Sequence, residues 1–140
     1  MFSYTSLRGV RNALGQHKES FRHVEGKFVT SEISLAEVLA PAPDGVRRAS
    51  SYRRKYMSLM AWSRSVDLIP VTRDILYETA EIRRFTRHKL PDAIHCATAV
   101  MAGCKYLISG DRHMQRLPQG MTWLDVDDAA VETLRGATDG

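Results

Sequence analysis

The sequence predicts an α/β domain, a parallel sheet with helices on both faces, and three observations carry that reading. Short apolar runs of strand length alternate with amphipathic helices along 140 residues, a length that suits one domain. Residues 89–112, KLPDAIHCATAVMAGCKYLISGDR, hold a helix start, a buried helix, a turn, a buried strand and a second acidic turn. Three acids, Glu37, Asp92 and Asp111, fall at the edge beyond the carboxyl ends of strands, where open α/β sheets gather their ligands.

Residues 1–25 read as a polar helix with Leu7, Val10 and Leu14 as a thin apolar stripe. Residues 27–31 read as a strand ending in the hydroxyls of Thr30 and Ser31. Ser34 and Glu37 have the spacing of a capping box, which puts Glu37 in the first turn of the next helix. The run APAPDG breaks that helix, and residues 46–64 form another, with Ala49, Tyr52, Tyr56, Leu59 and Met60 inward. Its outer face is basic, with Arg47, Arg48, Arg53, Arg54 and Lys55.

Residues 66–71 form a strand in which Pro70 marks the end or a bulge, and Thr72 caps a helix with Ile75, Leu76, Thr79, Ala80 and Ile82 as its apolar positions. An extended return over residues 85–91 is expected to bring the chain back to the same edge. Pro91 and Asp92 then suit the first turn of a helix, where a missing N–H costs nothing and a carboxylate meets the positive end of the dipole. Ile94, Ala97, Met101 and Cys104 mark its buried face, and Gly103 ends it as a left-handed residue. Residues 106–109 make the next strand, which leaves Asp111 at its carboxyl end. A helical turn at 113–117, a strand at 122–126 and a helix at 128–134 complete a single domain over 1–135, with 136–140 as a flexible tail.

Composition narrows the function classes. No apolar run reaches membrane-spanning length, and Cys96 and Cys104, both tied to one apolar helix, suit a reduced, cytoplasmic compartment. The net charge of +4 favours an anionic partner, though only weakly. A zinc site from His88, His95, Cys96, Cys104 and His113 matches no ordinary ligand spacing. Taken singly, Asp92 also reads as a dipole partner, Glu37 as half of a capping box and Asp111 as turn chemistry. Taken together, three carboxylates at one edge repel unless a cation joins them, and oxygen-only ligands point to Mg²⁺ or Mn²⁺. Such ions assist in-line displacement at a phosphodiester.

The stretch Leu90-Pro91-Asp92-Ala93-Ile94-His95 with Ala97, Ala99 and Gly103, then residues 106–112, resembles the signature of PIN-domain proteins. The similarity is greatest to the VapC-type toxins of type II toxin–antitoxin pairs. Residues 30–39 resemble the family's second motif and residues 122–126 its last strand. The resemblance implies a three-layer α/β/α domain and a Mg²⁺-dependent ribonuclease in which Glu37, Asp92 and Asp111 bind the metal. It implies that Ser109 helps to orient Asp111, and it places Ser31 beside the site. It also implies an RNA substrate, a small cognate antitoxin and a homodimer. Arg47, Arg48, Arg53, Arg54, Lys55 and Arg112 are the candidate RNA-binding residues.

Two departures stand out. Gly110 occupies the place of the usual Asn, and no Asp precedes Asp44, whereas the family opens on a central strand ending in a ligand Asp. The sequence is therefore expected to begin just downstream of that ligand and to lack the N-terminal central strand. The alternative function is an inactive PIN-like module that binds RNA or antitoxin. A third is hydrolysis of small phosphoesters.

Overall fold

In the computed structural model of the chain, which describes residues 28–40, 54, 57, 58 and 66–138, the strands pair two by two. Strand β1 (Phe28–Ser31) lies parallel to β2 (Val66–Ile69), with Phe28 opposite Val66 and Ser31 opposite Ile69. Strand β3 (Tyr106–Ile108) lies parallel to β4 (Thr122–Leu124) in the same manner. The architecture is α/β as expected, and among the described residues its sheet is divided into these two pairs. Parallel pairing requires crossovers, and helices supply them.

Helix α1 (Ile33–Leu39) follows β1 directly. The expected capping box does not form. The helix begins before Ser34 with no side-chain cap, because the Ser34 hydroxyl is buried against that of Thr30 at 2.9 Å. Ser31 takes over part of the role, its Oγ accepting from the Ile33 amide. Glu37 is thus carried beyond the first turn.

Helix α2 (Arg73–Thr86) starts as predicted, with the Thr72 hydroxyl accepting from the Ile75 amide at 3.3 Å. It continues further than the sequence suggests. The expected extended return over 85–91 shrinks to Arg87, His88 and Lys89, since α2 runs to Thr86 and α3 (Leu90–Met101) opens at Leu90. The two helices pack against each other as a hairpin, closed by Arg87 in the left-handed conformation at φ 58°. Ile75, Thr79, Ile82 and Thr86 form the buried stripe of α2, whereas Leu76 and Ala80, expected inward, are exposed.

Helix α3 is the centre of the core. Every residue from Ala93 to Ala99 is buried, and α3 packs on α2, β1 and α1. Small residues allow this closeness on several sides: Ala93, Ala97 and Ala99 have no exposed surface. Met101, expected on the buried face, is instead half exposed because it lies in the last turn, beyond the packed stretch. Gly103 ends the helix at φ 71°, as its position predicts. Leu107 and Ile108 of β3 are fully buried, and a 3₁₀ turn (Arg112–Gln115) follows at the place where a helical turn is expected. The last helix, α4 (Asp128–Thr138), extends past the expected end at Leu134. Among the described residues no helix is long and apolar enough to cross a membrane.

The expected N-terminal helix lies outside the described residues, as does most of the basic helix at 46–64, including Arg47, Arg48, Arg53 and Lys55. Of the latter segment Arg54 is helical and exposed, and Met57 is half buried.

Candidate active site

Asp111 is held by three polar contacts. Its backbone amide donates to the buried Ser109 hydroxyl at 3.1 Å, and its Oδ1 accepts from the His113 amide at 2.9 Å and lies 3.2 Å from the His113 ring. Ser109 thus meets the backbone of Asp111, while Oδ1 caps the 3₁₀ turn. Asp92 sits in the first turn of α3, half buried. The two carboxylates line one cleft of about 490 Å³.

Electrostatics join the third acid to this pair. Burial holds the Asp92 carboxyl above the usual carboxylate range, and Asp111 and, more weakly, Glu37 push it the same way, while His95 and His88 pull it down. Both of the other acids thus act on Asp92. Glu37 does not line the cleft. Its Oε2 is instead 3.0 Å from Nε2 of His95, a fully buried ring one helical turn beyond Asp92. His95 holds Glu37 from within the core. Ser31 is buried at the head of α1, where its hydroxyl supports the start of the helix.

Apart from Thr86 and Gln115 the remaining lining is basic, and sequence reasoning missed most of it. Arg87, Lys89, Arg112 and Arg116 line the same cleft, with His88 and His113. Only Arg112 is a candidate from the sequence. The signal that was available is the run Arg87-His88-Lys89 directly before Leu90-Pro91-Asp92. His88 is buried, and among the described residues neither ring nitrogen has a hydrogen-bond partner of ordinary geometry. Burial lowers its pKa against the opposing pull of Asp92, the nearby His113 backbone and Asp111, which favours the neutral ring.

The donor set decides what could be held here. Asp92 and Asp111 offer hard oxygen ligands in one cleft, and mutual repulsion with burial is what a divalent cation relieves. Among the described residues no three His, Cys, Asp or Glu side chains are gathered closely enough to hold an ion by themselves. A cation would therefore rest on the Asp92 and Asp111 pair. Cys96 and Cys104 are both buried free thiols, and burial pushes the Cys96 thiol up to about 12.

Comparison with known proteins follows the same lines. The family model described as "PIN domain" matches residues 11–120. No curated protein matches the sequence significantly. Among solved structures, a toxin–antitoxin complex from Klebsiella pneumoniae aligns with a TM-score of 0.65 at 20% identity, over 91% of this chain and 99% of that one. VapBC2 from Rickettsia felis, solved with a DNA fragment from its promoter, gives 0.63 at 15% identity, over 89% and 98%. PAE2754 from Pyrobaculum aerophilum gives 0.65 at 16% identity, over 97% and 98%. At these identities the likeness is one of fold.

Proposed function

This chain belongs to the PIN domain family, and from that premise we propose that it is a divalent-metal-dependent endoribonuclease, the toxin of a type II toxin–antitoxin pair. PIN domains are in general metal-dependent nucleases. The observation that carries the reading for this chain is the sharing of one cleft by Asp92 and Asp111, with Glu37 in electrostatic reach. Two of the structural neighbours are toxin–antitoxin assemblies, which supports a small cognate antitoxin as partner. An RNA target suits the cytoplasm, and a homodimer is part of the proposal.

Asp92 and Asp111 would hold Mg²⁺ or Mn²⁺, with Glu37 as the third acid of the site. When bound, the cation offsets negative charge on the phosphodiester and favours deprotonation of an attacking water. The chain's own groups prepare the site. Ser109 and the His113 amide fix the direction of Asp111, and His95 restrains Glu37. Water is the nucleophile, so no covalent enzyme intermediate forms.

A second reading is favoured by one observation: Glu37 is turned to His95 and lies outside the cleft lining. On that reading the protein is an inactive PIN module that binds RNA or antitoxin. One experiment separates the two. The full chain is incubated with structured RNA in Mg²⁺, in EDTA, and as Asp92→Asn and Asp111→Asn variants. The nuclease reading expects cleavage that EDTA abolishes and that each substitution reduces at least a hundredfold, about 3 kcal/mol of barrier. Cleavage unchanged in both variants sinks it, and wild-type activity no higher than the EDTA control selects the inactive module.

A further inference from the structure

Asp111 and His113 stand two apart at the head of the 3₁₀ turn, and that spacing lets one residue grip the other twice. An Asp at the start of a turn ordinarily accepts from the amide two positions on, and here Oδ1 does so at 2.9 Å. Because that residue is a His, its Nδ1, the ring nitrogen nearer its own backbone, reaches the same oxygen at 3.2 Å. A neutral ring with its proton on Nδ1 and a protonated ring both donate there, so the contact does not depend on the charge of the imidazole. A carboxylate oxygen has about two lone-pair positions, and on Oδ1 His113 fills both. Oδ2 has no partner among the described residues. The His113 ring is 90% exposed, so a packing role does not account for its place.

The other acids do not make good the withheld oxygen. Asp92 makes no hydrogen bond among the described residues and has both oxygens to offer, whereas Glu37 keeps Oε2 on His95 and does not line the cleft. The carboxylates of the cleft therefore offer a cation both oxygens of Asp92 and only Oδ2 of Asp111. Ca²⁺ takes roughly six to eight oxygens and is often gripped by both oxygens of a carboxylate, whereas Mg²⁺ takes about six and keeps several of its waters. We propose that His113 is a positioning residue that makes Asp111 a one-oxygen ligand, and that this favours Mg²⁺ or Mn²⁺, with most places left to water, over Ca²⁺. The proposal rests on the nuclease reading for the presence of a cation on Asp92 and Asp111. It concerns which ion those carboxylates accept, which is measurable without turnover.

The test needs no RNA. The full chain is titrated with Mn²⁺, the free ion being read by electron paramagnetic resonance, and bound Mn²⁺ is then displaced with Ca²⁺. The wild type is expected to prefer Mn²⁺. His113→Ala is expected to shift the ratio of the two affinities about tenfold toward Ca²⁺, the lower end of what a hydrogen-bond partner of a metal ligand contributes. A merely structural role lowers both affinities together and leaves their ratio as it was. His113→Asn, whose side-chain amide nitrogen stands where Nδ1 does, is expected to keep the wild-type ratio. Asp92→Asn is expected to weaken Mn²⁺ binding about tenfold or more, which ties the ion to this cleft. A wild type that prefers Ca²⁺, a ratio unchanged in His113→Ala, an equal shift in His113→Asn, or a Mn²⁺ affinity indifferent to Asp92→Asn overturns the proposal. Where Mn²⁺ binds through Asp92 and only the ratio fails to move, the nuclease reading stands without this role for His113. Where the wild type binds no Mn²⁺, the metal reading falls and this proposal with it.

Discussion

Asp92 is the residue whose environment departs furthest from what its position in the sequence suggests. A carboxylate in a first helical turn ordinarily gains from the dipole, yet burial and the two other acids raise its pKa. The folded state then binds a proton more readily than the unfolded chain. Its contribution to stability is full below the unfolded value of 3.8 and is lost as pH rises through the raised folded value. In EDTA, Asp92→Asn is therefore expected to raise the thermal midpoint at neutral pH. That advantage should disappear below about pH 4, where both side chains are uncharged. Melting curves from pH 3 to 8, as a rough span, decide the matter: a variant that is less stable at neutral pH removes the electrostatic account.

Among the elements, α3 shows how local punctuation and packing divide the work. Pro91 and Asp92 open it and Gly103 closes it, at φ 71° with open space where a Cβ would be added. Substitution there has a backbone cost alone. Gly103→Ala is expected to lose about 1 kcal/mol, and Gly103→Asn less, because Asn tolerates the left-handed region. Equal midpoints for Ala and wild type in chemical denaturation would contradict this. Helix α1 gives the opposite lesson. Its Ser34 to Glu37 spacing imitates a capping box, but a hydroxyl partner on β1 and an imidazole on α3 take those two side chains elsewhere. The motif lost to one hydrogen bond four residues back and another 58 residues away.

Across the whole molecule the site depends on α3 lying against β1, α1 and α2 at once. The pair of Glu37 and His95 joins positions 58 residues apart and ties α1 to the helix that bears Asp92. Removing the ring leaves Glu37, 16% exposed at its side chain, without that donor and opens space in a closed core. His95→Ala is expected to cost about 2–4 kcal/mol. His95→Gln, which keeps a donor, should recover part of it. A loss as large in Gln as in Ala would mean that packing, not the tether, sets the role of His95.

The sequence by itself determined the α/β class, the β1 and β3 strands, the Thr72 cap, both ends of α3, and the placing of Asp92 and Asp111 at strand and helix ends. Each depends on a few neighbouring residues: dihedral preferences of Pro and Gly, a hydroxyl near a free amide, an apolar run of strand length. Tertiary structure alone decided which strands pair, that Leu76 and Met101 face solvent, that Glu37 answers to His95, and that Arg87, Lys89 and Arg116 share a cleft with the acids. Periodicity marks a face as apolar without saying what covers it. A buried side chain's partner, and the charge that gathers around a carboxylate, are set by residues brought together only when the helices pack.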